Sequence, residues 1–235
     1  MNEEPILRRS TVVCFGTSIT RGHPYVPEGD TYPAVLERRL NRRLRQENEA
    51  VTVINSGVPG ENTVEGLARI DEDVIAHRPD LVVVEFACND VRYEPEKRVE
   101  LEDFRANLVQ MAQTIREVCS AIIICTPTPI VDAFHVYSQE VDFYDSWGGC
   151  NSALMEYDEV IREVAVEQDL TLCDLKRAFY DRAVASEFDG DTNDADDLTC
   201  IADLISRYDG VHPTIAGQAL IALELYRIIR TIPLG

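Results

Sequence analysis

Five short stretches of this chain are apolar on what would be both faces of a strand: Thr11–Phe15, Val51–Asn55, Leu81–Phe86, Ala121–Cys125 and Leu170–Cys173. A strand with one wet face alternates polar and apolar residues, whereas a run rich in Val, Ile and Leu throughout must be covered on both sides. Segments of helical spacing separate these runs, near residues 32–46, 62–77, 101–118 and 151–168. The third carries Leu101, Phe104, Leu108, Met111, Ile115 and Val118, a single apolar stripe. A last helix is predicted from Thr214 to Arg230, opened by Pro213. Alternating strands and helices of this kind predict an α/β fold, a parallel sheet with right-handed crossovers and helices on both faces. Ligands of such sheets bind beyond the carboxyl ends of the strands, so the chemistry is expected in the loops that follow them.

At 235 residues the chain is expected to form one domain, 1–235, with no repeat and no interdomain linker. No apolar run is long enough to span a bilayer. The acidic start, Met1-Asn2-Glu3-Glu4-Pro5, lacks the basic and apolar regions of a signal peptide, so the expected compartment is the cytoplasm. The seven cysteines agree, because an odd count is not a disulfide framework. Cys14, Cys125 and Cys173 read as buried thiols within strands, while Cys150 and Cys200 fall in predicted loops and are candidates for pairing. A net charge of −20 argues against nucleic acid or an anionic membrane surface as partner. The one basic cluster, Arg38, Arg39, Arg42, Arg43 and Arg45, shares a helix with Leu36, Leu40 and Leu44 and reads as its solvated face.

Four of the loops carry reactive residue types. Gly16-Thr17-Ser18 ends the first strand and presents a serine at the sheet edge. Asp209-Gly210-Val211-His212-Pro213 sets a carboxylate three residues before a histidine, just ahead of the last helix. A serine, a histidine and an aspartate are the parts that turn a weak alcohol into a nucleophile. Asn55 to Gly60 follows the second strand, and its glycines allow backbone amides to approach a ligand. Asn89, in the loop after the third strand, offers a side-chain amide. Two backbone amides and one asparagine amide would make a three-donor oxyanion hole.

In this order the four loops resemble the SGNH (GDSL-type) hydrolases, and the resemblance covers residues 11–232. It implies a three-layer α/β/α sandwich around a five-stranded parallel sheet of flavodoxin-like type, with no metal and no organic cofactor. Carried over position by position, it implies Ser18 as nucleophile, His212 as base and Asp209 as its partner. The amides of Ser18 and Gly60 and the side chain of Asn89 would form the oxyanion hole. Two positions depart from the family pattern: Thr17 stands where aspartate is usual, and Cys88 where glycine is usual.

The leading expectation is a serine esterase acting on small or medium acyl esters, with acetyl groups on carbohydrates among them. The partner is then a small-molecule ester, and the oligomeric state is open. A thioesterase or lysophospholipase with the same site is the enzymatic alternative, and a catalytically silent ligand-binding module the non-enzymatic one. Residues 127–150 form an aromatic insertion expected to wall the pocket, with Phe134, Tyr137 and Trp147 as candidate substrate contacts alongside His23. Residues 186–208 form an acidic loop, in which Asp189 to Asp194 spaces oxygen ligands like the opening of a calcium loop. It lacks that motif's glycine and its closing glutamate, which favours a solvated loop.

Overall fold

A computed structural model describes residues 8–44, 49–186 and 203–232. Its five strands are β1 (Arg8–Gly16), β2 (Glu49–Gly57), β3 (Leu81–Glu85), β4 (Ile122–Cys125) and β5 (Thr171–Cys173). All neighbours run parallel, in the order β2-β1-β3-β4-β5. This is the flavodoxin-like order, whose switch point lies between β1 and β3, where successive crossovers leave toward opposite sides of the sheet.

The helices are α1 (Ser18–Arg21), α2 (Tyr32–Leu44), α3 (Thr63–Asp73), α4 (Leu101–Arg116), α5 (Val136–Glu140), α6 (Cys150–Glu167), α7 (Leu175–Ser186) and α8 (Ile215–Ile229). Strand alternation divides the apolar residues between two cores. Val13, Phe15, Val82, Val84, Ile122 and Ile124 face one way, against Ile70 of α3, Phe104 and Leu108 of α4, and Leu154 and Ile161 of α6. Val12, Cys14, Leu81, Val83, Ile123 and Cys125 face the other, against Leu36 of α2, Phe179 of α7 and Leu225 of α8. Helices cover both faces, as strands apolar on each side require.

The structure departs from the sequence expectations in a few places. The second predicted helix closes at Asp73, and a short 3-10 turn, Ile75–His77, ends on Arg78 at φ 47°. The insertion at 127–150 is not a plain loop, because it holds α5 and a 3-10 turn over Asp142–Trp147. Helix α7 lies outside every predicted segment. Its stripe is Leu175, Phe179 and Ala183, all buried, and the Asp174 carboxylate accepts from the amide of Arg177 at 3.1 Å across its first turn. The expected pairing of Cys150 lies partly outside the described residues, since Cys200 is not among them, and Cys150 itself is a buried free thiol at the start of α6. The calcium-like run Asp189 to Asp194 also lies outside them. Among the described residues no helix is long and apolar enough to cross a membrane, and no cluster of His, Cys, Asp or Glu is arranged to hold a metal ion.

Candidate active site

Strand β1 ends at the switch point and hands the chain directly to α1. Thr17 is the N-cap: its Oγ1 accepts from the amide of Ile19 at 3.3 Å, which leaves Ser18 as the first helical residue. A first-turn amide has no carbonyl within its own helix to donate to, so the N–H of Ser18 is left for other partners. Gly22, at φ 78°, closes the turn by donating to the carbonyls of Ser18 and Ile19. Gln218 locks α1 from the far side. It is fully buried on α8, its amide donates to the Ile19 carbonyl at 2.8 Å, and its carbonyl accepts from the amide of Tyr32 at 2.6 Å.

The histidine comes from the other end of the chain, on a loop held at both flanks. The amide of Ser206 donates to the His212 carbonyl at 2.8 Å, and Thr214 donates from its amide to Leu204 at 2.9 Å. Thr214 also caps α8 through the amide of Gly217 at 3.2 Å. Asp209 Oδ1 accepts the amides of Val211 and His212 at 3.0 and 3.1 Å, while Oδ2 lies 2.7 Å from His212 Nδ1. Although half-burial opposes ionisation, the bond to the His212 ring and the two amides together hold the Asp209 carboxyl down to about 2. It is therefore an acceptor only, so Nδ1 carries the ring proton and Nε2 is left to accept. Ser18 Oγ lies 2.8 Å from that nitrogen, and its hydroxyl donates there. Gly210 makes the turn at φ 69°, and a β-carbon at this position would sit 2.9 Å from the amide of His135 and against the Val131 carbonyl. The insertion thus begins by packing beneath the histidine loop, where the amide of Val131 donates to the Gly210 carbonyl at 2.7 Å.

The other two loops meet beside this pair. Gly60 turns at φ 81°. The Asn89 side-chain amide donates to the Glu61 carbonyl at 2.8 Å, which ties the loop after β3 to the loop after β2 and fixes the plane of the amide. Asp90 reinforces the tie: its Oδ1 accepts from the Thr63 amide at 2.9 Å and the Thr63 hydroxyl at 2.6 Å, at the start of α3. Burial pushes the Asp90 carboxyl up to about 6 against these hydrogen bonds. Arg69 ties the ends of β1 and β2 together, donating to the carbonyls of Gly16 at 2.8 Å and Ser56 at 2.9 Å, and its guanidinium lies 4.5 Å over the Phe15 ring.

Beneath the nucleophile turn lies a buried carboxyl outside the sequence expectations. Glu85, the last residue of β3, is 2 % exposed. Its Oε2 accepts three bonds from the nucleophile loop: the Thr17 amide at 3.2 Å, the Thr17 hydroxyl at 3.0 Å and the Thr20 hydroxyl at 2.9 Å. Gly16 pairs with Glu85 across the sheet, and any β-carbon there would come within 2.6 Å of the Glu85 carbonyl. Burial without a cationic partner pushes the carboxyl up to about 7. The signal was present, as a single carboxylate in an otherwise apolar strand, and Gln218 is the same kind of signal on the apolar face of α8.

The expected substrate contacts are spread out. His23 is exposed, and its amide donates to the Ser18 carbonyl at 3.1 Å. Phe134 is half-buried against the α2-α7-α8 core. Tyr137 packs on Tyr93 and His135, with ring centroids 4.9 and 5.6 Å apart. Trp147 joins Phe143, Val91, Arg98 and Tyr157 in a hollow of about 180 Å³ between the starts of α4 and α6, which none of Ser18, Asp209 and His212 lines. Cys88 is packed between the two cores, and burial raises its thiol well above its ordinary range, so it holds little thiolate. Two residues outside the sequence expectations, Tyr25 and Tyr208, stand in a row beside His212: Tyr25 meets the imidazole edge-on at 6.1 Å, and Tyr208 packs on Tyr25 with ring centroids 5.7 Å apart.

A parallel sheet with the switch point so furnished defines the SGNH class of hydrolases. Residues 14–220 match the GDSL-like Lipase/Acylhydrolase family, and the chain belongs to it as a carboxylic ester hydrolase. It is 28 % identical over 186 residues to an acetylxylan esterase of Geobacillus stearothermophilus, covering 76 % of this chain and 72 % of that protein. The crystal structure of an acetylxylan esterase from the same organism superposes with a TM-score of 0.69 at 24 % identity, over 94 % of each chain. The lipase/acylhydrolase from Enterococcus faecalis superposes at 0.68, again at 24 % identity, over 94 % of this chain and 96 % of its own.

Proposed function

We propose that this esterase is a serine hydrolase of small acyl esters, with acetylated carbohydrates as its leading substrate class, working through Ser18, His212 and Asp209. One observation carries the reading: an unbroken relay from Asp209 Oδ2 through His212 to Ser18 Oγ, with links of 2.7 and 2.8 Å, joins residues 194 positions apart in sequence. His212 Nε2 takes the hydroxyl proton as Ser18 Oγ attacks the ester carbonyl. The amides of Ser18 and Gly60 and the side chain of Asn89 hold the oxygen that becomes negative. Protonated His212 then gives its proton to the leaving alcohol, and Asp209 stabilises the imidazolium meanwhile. Water, activated by the same nitrogen, releases the acid from the acyl-enzyme. The likeness to an acetylxylan esterase favours an acetyl group on a sugar.

The test is hydrolysis of p-nitrophenyl acetate, butyrate and octanoate by the wild type and by Ser18→Ala, with circular dichroism as the folding control. Loss of the nucleophile is expected to lower kcat on the order of 10⁶-fold, with acetate preferred by the wild type. Turnover persisting in folded Ser18→Ala, or preference for octanoate, would refute the corresponding half of the proposal.

A further inference from the structure

Tyr208 is 84 % exposed and Tyr25 41 % exposed, so neither ring is explained by burial in a core. Yet they are not scattered surface residues. Their rings lie 5.7 Å apart at 37°, and Tyr25 presents itself to the His212 ring at 6.1 Å and 77°. The loop that carries Tyr208 is fixed from within: its amide donates to Ser206 Oγ at 3.2 Å, and the amide of Gly210 donates to the Ser206 carbonyl at 2.8 Å. One phenol therefore stands in solvent beside the imidazole, and a second extends the aromatic surface outward from it.

The reaction geometry says which part of an ester meets them. The oxyanion turns toward Gly60 and Asn89, and the leaving oxygen must come within hydrogen-bond reach of His212 Nε2 to receive its proton. The alcohol part of the ester therefore lies on the histidine side, and the acyl part points away from it. We propose that Tyr25 and Tyr208 form a platform for the alcohol, selecting esters whose alcohol is a ring with a flat apolar face. This inference rests on the assignment of Ser18 and His212 made above. An aromatic face covers the C–H face of such a ring; the Tyr25 hydroxyl is turned to Asp209 and Ser206, and that of Tyr208 leaves a polar rim for its substituents. A pyranose and an aryl ring share this chemistry, whereas a methyl or ethyl group has no face to offer.

The experiment compares esters with the same acetyl group and different alcohols. Values of kcat/KM are measured for methyl acetate, phenyl acetate and an acetylated methyl xyloside, with wild type, Tyr208→Ala and Tyr208→Phe. In Tyr208→Ala, the preference for a ring ester over methyl acetate is expected to fall about 3- to 10-fold, mainly through KM, with Tyr208→Phe retaining most of it. A fall for the xyloside alone assigns the platform to sugars, and a fall for phenyl acetate alone assigns it to aryl alcohols. Equal losses for all three esters, or no loss for either ring ester, would overturn the platform. A second series, with methyl esters of acetate, butyrate and hexanoate, guards the direction: a change there that tracks acyl length would place the acyl part on the tyrosines and overturn the proposal too. Wild type that turns over none of these esters would sink the assignment of Ser18 instead, so the two failures are distinct.

Discussion

Replacing Glu85 by glutamine should make the protein less sensitive to alkali, although Glu85 lies deep beneath the nucleophile. In the folded chain the carboxyl titrates at about 7, against an ordinary 4.5. Below pH 4.5 it is protonated whether the chain is folded or not. As pH rises from 4.5 to 7 the unfolded chain releases its proton while the folded chain keeps it, so stability is lost over that window and stays lost above it. The size of the shift sets this loss at about 3 kcal/mol. Glutamine has the shape of the protonated acid. Its carbonyl in the place of Oε2 still accepts from the Thr17 amide and from the Thr17 and Thr20 hydroxyls. Its amide takes the place of Oε1, an atom that has no hydrogen-bond partner, so a proton and an amide are equally unserved there.

Urea unfolding of wild type and Glu85→Gln at pH 5 and pH 8 gives the required double difference, in which other titrating groups cancel. Near pH 5 the two proteins should differ little. At pH 8 the variant should be the more stable by about 3 kcal/mol, a midpoint shift of about 1 M urea. A difference between the proteins that is the same at both pH values would refute the reasoning, because the carboxyl would then carry equal charge in both states throughout.

Further substitutions probe the same frame. Thr17→Asp, which installs the family's usual residue, sets a second carboxylate where a hydroxyl now donates to Glu85 at 3.0 Å; unfolding measurements at pH 8 should show a loss of roughly 2–4 kcal/mol, smaller at pH 5, where one proton can serve both groups. Gly210→Ala adds a β-carbon at φ 69° against the Val131 carbonyl and 2.9 Å from the amide of His135. Thermal melts should show a loss of at least about 1–3 kcal/mol, and kcat should fall as Asp209 and His212 are displaced.

The architecture was legible because it follows from patterning. Doubly apolar strands alternate with helical stripes, and all five predicted strands overlap observed ones. Boundaries moved where capping decides them, as at Asp73, where the i to i+4 ladder gives way to a 3-10 turn before Pro79. Helix α7 was readable from Leu175, Phe179 and Ala183 with Asp174 ahead of them, but a charged surface diluted the stripe. The residues expected at Ser18, Asp209 and His212 do converge, and for Asp209 and His212 the spacing itself dictates contact. Aromatic content drew attention to 127–150, whereas the aromatic row beside His212 is Tyr25 and then Tyr208, one just after the serine turn and the other just before the aspartate. Only the tertiary meeting of those two loops brings them together.

Thr17 looked in sequence like a lost charge, and the structure gives it a different meaning. A threonine at that position can do two things at once: its oxygen accepts from the amide of Ile19 and its proton goes to Glu85. An aspartate can cap the turn equally well but has no proton to donate, and it would face a buried carboxylate. Position 17 and position 85 are therefore one electrostatic choice, since the pocket under the nucleophile turn accommodates one carboxyl without a cation. The consequence is testable as a cycle. If the two positions are coupled, Thr17→Asp should cost much less in a Glu85→Gln background, where the glutamine amide can turn to donate to the new carboxylate. A coupling of at least about 1 kcal/mol at pH 8 is expected from one hydrogen bond gained and one like-charge contact removed. Additive effects of the two substitutions would mean that the threonine and the glutamate were fixed independently, and that the charge beneath Ser18 has no bearing on the residue before it.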